Sequence, residues 1–281
     1  MMKGFTLGRF ELHWLKGGRF ALDGGSMFGV VPKVLWSKRY PVDDENYIPL
    51  VAWPILVKTP DTLVLIESGL GNKLTEKQRR IFRLSEPWDV EGDLKTLRLR
   101  REDIEYVILT HCDFDHAGGV VMHDGQGRLM LSFPEAVHVV HKREWEDVMH
   151  PNMRSVNSYW PLNFEVLRES MNLKLVEGEV KITNGVTVVH TGGHTKGHQI
   201  IKLESDGERA IHMGDLLPTH AHFNPLWIMA YDTFPLESVR LKDEIEVKAI
   251  REHAWFTFYH DPFFLACRFN ERGEIVEKWT G

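Results

Sequence analysis

The chain has 281 residues, long for one average domain but ordinary for a two-sheet or α/β domain, and its 43% hydrophobic and 26% charged residues supply a large core. A net charge of −6 with no long basic cluster, Arg98-Leu99-Arg100-Arg101 being the densest, argues against a nucleic-acid partner. The lack of any run of about 18 apolar residues, or of a secretory leader in Met1–Leu15, argues against a membrane partner and predicts a cytoplasmic protein. Two cysteines, Cys112 and Cys267, give no disulfide framework.

In chain order, residues 5–12 and 20–22 read as opening strands. The glycine-rich stretch 17–33 between and beyond them lacks the strand-to-helix context of a phosphate loop, and reads as an irregular loop over the mouth of a site. Residues 53–58 and 63–67 form a hairpin around Pro60-Asp61. Helical patterns follow over 72–84 and 93–100. The apolar run 106–109 is a buried strand, 136–140 another, and 142–149 a helix ended by His150-Pro151-Asn152. The longest helical stretch covers 236–253. No internal repeat or low-complexity linker divides the chain, which is expected to form one domain over 1–281.

Directly after the strand 106–109 comes Thr110-His111-Cys112-Asp113-Phe114-Asp115-His116-Ala117-Gly118-Gly119. Four metal-binding side chains thus gather at a strand's carboxyl end. If this segment is extended, His111, Asp113 and Asp115 alternate to one side, His116 turns in beside Asp115, and Cys112 points away into packing. Such a cluster needs distant partners. Candidates occur in Thr191-Gly192-Gly193-His194-Thr195-Lys196-Gly197-His198, in Ala210-Ile211-His212-Met213-Gly214-Asp215, and in Thr257-Phe258-Tyr259-His260-Asp261. Upstream, Leu63-Val64-Leu65-Ile66-Glu67-Ser68-Gly69-Leu70-Gly71 is a strand running into a glycine-rich loop.

These five segments, in this order, resemble the signature of the metallo-β-lactamase-fold hydrolases over about residues 50–262. The family pattern is T-H-x-H-x-D-H-x-G-G, with D-T-G-x-G upstream; here Asp113 stands in place of the second histidine, and Glu67-Ser68 in place of Asp-Thr. The resemblance implies an α/β fold of the four-layer αββα sandwich type. It also implies two divalent metal ions, zinc, iron or manganese, about 3.5 Å apart. His111, Asp113 and His194 would hold one and Asp115, His116 and His260 the other, with Asp215 bridging them. The family chemistry is attack by a metal-bridging hydroxide on a carbonyl or phosphoryl centre, with Asp115 and Asp215 as the catalytic carboxylates. His198 is expected to orient its turn without binding metal. Replacing a histidine by Asp113 lowers the site charge by one, a bias toward iron or manganese.

The stretches 214–227 and 23–33 are similar to the quorum-quenching lactonase and methyl parathion hydrolase branch. A small-molecule substrate is therefore expected, with opening of a lactone or cleavage of a related ester as the reaction. Acyl-homoserine lactonases often carry a tyrosine three residues after the bridging aspartate; here that residue is Pro218. His220 and His222 are candidates for the substrate pocket. Phe28, Trp53, Phe223 and Trp227 would suit an apolar acyl pocket, with core packing as the alternative for each. A homodimer is compatible with this reading. The alternatives are a phosphotriesterase or phosphodiesterase at the same site, or a di-iron redox protein related to the flavodiiron enzymes, which also have a carboxylate at the position of Asp113. A non-catalytic metal-stabilised binding protein is a further class, against which the intact set of seven ligands counts.

Overall fold

The computed structural model describes residues 4–281; the first three residues of the Met1–Leu15 stretch lie outside the described residues. Two seven-stranded sheets dominate. Across the first run Phe5–Leu7, Phe10–Trp14, Ile55–Lys58, Leu63–Ile66, Tyr106–Ile108, Val137–His141 and Leu173–Val176. Across the second run Glu179–Thr183, Val186–His190, Gln199–Ser205, Glu208–His212, Trp255–Thr257, Ala266–Phe269 and Ile275–Trp279.

The layering follows from strands that are apolar on both faces. Ile55, Val57, Val64, Ile66, Ile108 and Val139 point toward Val186, Val188, Ile201 and Leu203 of the second sheet. Their chain neighbours Leu56, Leu65, Val107 and Val140 point the other way, onto Val90, Leu94, Trp145 and Val148 of two outer helices, Val90–Thr96 and Lys142–Met149. In the second sheet Ile200 and Ile211 face outward, in a cluster with Ala249 of the long helix Pro235–Arg251. Period-two alternation, apolar in both phases, thus builds helix, sheet, sheet, helix. No helix among the described residues is long and apolar enough to cross a membrane.

The sheets set where ligands emerge. Tyr106–Ile108 is parallel to both of its neighbours, and Glu208–His212 is parallel to Trp255–Thr257. The segments carrying His111, Asp215 and His260 therefore leave the carboxyl ends of parallel strands, the usual position of sites in such sheets.

Four expectations need correction. Residues 5–12 are not one strand but a hairpin, in which Phe5 pairs with Leu12 across a tight turn at Gly8-Arg9. Alternation alone does not reveal a turn that keeps Phe5, Leu7, Phe10 and Leu12 all in the core. The stretch 17–33 is not irregular: Arg19–Asp23 pairs antiparallel with Tyr47–Val51, and Asp23 then caps a short helix, Gly24–Phe28, accepting a hydrogen bond from Ser26 N at 2.8 Å. The two helices after the hairpin are Glu76–Ile81, started by a Thr75/Gln78 capping box, and Val90–Thr96, capped by Asp89. The metal-motif segment is not extended throughout; Phe114–Ala117 forms a helical turn, with the amides of His116 and Ala117 both donating to Asp113 O at 2.9 Å.

Candidate metal centre

Asp215 lies at the centre of the cluster. It follows Gly214, whose positive φ of 51° and close packing leave no room for a side chain; a Cβ there would lie 2.8 Å from both Thr110 Oγ1 and His198 Nε2. The two oxygens of Asp215 face different groups. Oδ2 lies 3.9 Å from His111 Nε2 and 3.5 Å from His194 Nε2, while Oδ1 lies 3.2 Å from His116 Nε2 and 3.3 Å from His260 Nε2. Asp113 Oδ2 completes the first group, 3.7 Å from His111 Nε2 and 3.6 Å from His194 Nε2. Asp115 Oδ2 lies 3.7 Å from His260 Nε2 in the second. The structure thus brings all seven sequence-predicted ligands together, as two triads sharing one carboxylate.

Each imidazole is held from behind. His111 Nδ1 lies 2.9 Å from Thr110 Oγ1, whose hydroxyl donates to Glu67; the imidazole therefore donates from Nδ1 and keeps its Nε2 lone pair free. His194 Nδ1 donates to Asp232 Oδ1 at 2.8 Å, and His260 Nδ1 to Val51 O at 2.8 Å. His116 Nδ1 lies 3.2 Å from Glu67 Oε1. All four Nε2 atoms face inward, and for His111, His194 and His260 the other nitrogen is hydrogen-bonded to an oxygen, the pattern of metal-ligating histidines.

Several inward atoms lack a protein partner. His111 Nε2, His194 Nε2 and Asp215 Oδ1 are buried without a hydrogen bond, and the Nε2 atoms of His116 and His260 face one another at 3.0 Å. Buried polar groups in that condition are costly unless something else satisfies them. Four imidazole nitrogens and three carboxylates suit two divalent ions of the zinc, iron or manganese kind.

The electrostatics agree. Burial alone would drive His116 down, but Asp215 and Glu67 hold it well above the ordinary range; burial would likewise lower His194, but Asp113 and Asp232 raise it. His111, buried beside His116 and His194, is pushed well below that range. Burial would raise Asp215, yet His116 and His260 keep it well below the usual carboxylate range; burial raises Asp115. Glu67 is held at about 2, because His116 and His212 overcome the effect of its complete burial. Asp215 and Glu67 thus stay ionised within the cluster.

Glu67 and Asp232 were not predicted from sequence as supports. Glu67 was visible as a carboxylate ending an apolar strand, and its φ of 64° marks a strained turn. Asp232 lies 38 residues from His194 in no recognisable spacing. His198 is buried, its Nδ1 2.7 Å from Thr191 Oγ1, closing the turn behind His194. Cys112 is fully buried in the apolar cluster behind the loop.

The two pocket candidates separate. His222 is buried with both nitrogens occupied, Nδ1 2.7 Å from Thr219 Oγ1 and Nε2 2.9 Å from Met27 O, and its ring stacks on Phe28 at 4.3 Å. It is packed in the interior. His220 is partly exposed and fixed by Asp261, whose Oδ2 lies 2.5 Å from its Nδ1. Of the apolar candidates, Phe28 stacks between His222 and Trp36, and Phe223 stacks on Phe269; both belong to the core, as does buried Trp53. Trp227 is half-buried beneath Arg39.

Residues 47–246 match the family model of the metallo-β-lactamase superfamily. The chain belongs to this superfamily. A crystal structure of a probable metal-dependent hydrolase from Staphylococcus aureus is 41% identical, with a TM-score of 0.92 over 98% of each chain. An N-acyl homoserine lactonase from a Bacillus species is 25% identical over 210 residues, 70% of this chain and 71% of that protein. The structure of AidC, a dizinc quorum-quenching lactonase in complex with a product, N-hexnoyl-L-homoserine, has a TM-score of 0.79 at 21% identity, covering 99% and 97% of the two chains; that likeness is one of fold. This member of the superfamily is an enzyme of the metal-dependent hydrolase kind.

Proposed function

We propose that the chain is a dinuclear metal-dependent hydrolase that opens a lactone or cleaves a closely related ester. The observation that carries this reading is the division of Asp215, with one oxygen facing His111 and His194 and the other facing His116 and His260. The lactonase relatives support the substrate class. Two bound divalent ions would polarise the oxygen under attack and lower the pKa of water.

The chain's own residues supply positioning, exclusion of water and a proton site. Thr110, Glu67, Asp232 and Val51 O fix the four imidazoles. Access to the centre would be from the Asp113 side, since its side chain is 19% exposed and those of the other six are 9% or less. Asp115 is the carboxylate we assign to hold the proton passed to the leaving oxygen, on the oxygen that does not face His260. Its backbone is fixed by Tyr259, whose hydroxyl donates to Asp115 O at 2.5 Å. His220 is the pocket histidine that a substrate can reach, with Asp261 setting its orientation.

The test is a panel of lactones, carboxylic esters, thioesters and phosphate esters, assayed on protein loaded separately with zinc, iron, manganese and cobalt. Lactones are expected to give the highest kcat/KM. Phosphate esters turned over faster than every lactone would overturn the substrate assignment. Asp113→His, assayed in parallel, should stay active and shift its ranking toward zinc, because it replaces a hard anionic oxygen by imidazole nitrogen. An unchanged metal ranking would refute that account of Asp113.

A further inference from the structure

We propose that Glu144 is the positioning residue that sets the spacing of the His111–Asp113–His194 triad, an inference that rests on the dinuclear reading above. Glu144 lies in the first turn of the helix Lys142–Met149, is 1% exposed, and has no lysine or arginine partner among the described residues. Its carboxylate joins two ligand loops that are distant in sequence. Oε1 accepts from Cys112 N at 2.9 Å, and Cys112 stands between His111 and Asp113. Oε2 accepts from Thr195 Oγ1 at 2.6 Å, and Thr195 follows His194. Tyr159 donates its hydroxyl to Oε1 at 2.9 Å, completing a bracket of three donors.

The second loop is pressed onto the same point. A Cβ on Gly197 would lie 2.1 Å from Glu144 N, so only glycine lets that turn approach so closely. Burial pushes the carboxyl up to about 7, and the hydrogen bonds from Thr195 and Cys112 only partly oppose this. A carboxylate so buried and without a cation is an expensive way to fill space; an apolar residue would do so at lower cost. What an apolar side chain cannot do is hold two loops by one planar group. The other triad lacks this bracket: Asp115 and His116 sit on their own helical turn, and His260 is held by Val51 O.

The experiment is stepwise removal of zinc from the full chain by a chromophoric chelator, read as two release steps. Glu144→Ala should weaken one step by roughly 10- to 100-fold and leave the other in place. Thr195→Val should weaken the same step by a smaller factor. Glu144→Gln, which keeps the acceptor for Cys112 and Tyr159 and can donate to Thr195, should stay within about threefold of the parent. Asp113→Ala identifies the step: adding Glu144→Ala to it should cost little more, since both act on one triad. If Glu144→Ala fails to fold, Thr195→Val and Glu144→Gln carry the comparison. A parent chain with two release steps, both unmoved in folded Glu144→Ala, or in Thr195→Val where Glu144→Ala does not fold, overturns the inference and leaves the dinuclear reading intact. A parent chain with fewer than two steps overturns the dinuclear reading itself.

Discussion

Asp215→Ala is expected to abolish hydrolysis, lowering kcat/KM by roughly a thousandfold or more, because several kcal/mol of stabilisation by the ions depend on both staying in register. Of the three carboxylates, Asp215 is the one with oxygens within 4 Å of histidines of both triads. Its Oδ1 approaches His116 and His260, and its Oδ2 approaches His111 and His194. In the dinuclear reading, removing it would take one ligand from each ion at once, where loss of Asp113 or Asp115 would take one from a single ion. The variant should also hold less metal than either Asp113→Ala or Asp115→Ala. Steady-state kinetics beside elemental analysis checks both points. Activity within tenfold of the parent would mean that the shared carboxylate is not central to the reaction.

Stripping the ions should cost the fold as well as the activity. Ions at about a thousand times their dissociation constant contribute about 4 kcal/mol per site, which for a domain of this size corresponds to roughly 10 °C or more in Tm. The effect should be large here because the cluster is built from groups that do not satisfy one another. His116 and His260 point Nε2 at Nε2, and His111 Nε2, His194 Nε2 and Asp215 Oδ1 have no hydrogen bond. Scanning calorimetry with and without a chelator, followed by restoring the metal, measures the difference. Since imidazole binds metal in its neutral form, and His116 and His194 are held well above the ordinary range, the gap between loaded and stripped protein should widen as pH rises through the ordinary imidazole range and beyond it. A stripped protein that melts with the loaded one would show that the cluster is stable without ions.

Much of this site was legible because its ligands sit in short motifs at strand ends. Hydrophobic runs identified the strands now seen as Leu63–Ile66 and Tyr106–Ile108, and the helical periodicities over 142–149 and 236–253 located the helices Lys142–Met149 and Pro235–Arg251. What was missed has a common cause. The supports are defined by closure of the fold, and no spacing announces them. Asp232 meets His194 across 38 residues, and Glu144 meets Thr195 across 51. Pocket histidines were ambiguous for the same reason: His220 and His222 are two residues apart, yet one faces Asp261 at the edge and the other is packed on Phe28. Local turns also escaped, since Gly8-Arg9 and the turn Phe114–Ala117 are too short for periodicity to separate from extended chain.

The most direct test of the account is the metal content of the purified chain after growth in metal-supplemented medium. Two triads with a shared carboxylate predict close to two transition-metal ions per chain, by elemental analysis against a quantitative protein concentration. A content of one or none would contradict the dinuclear centre.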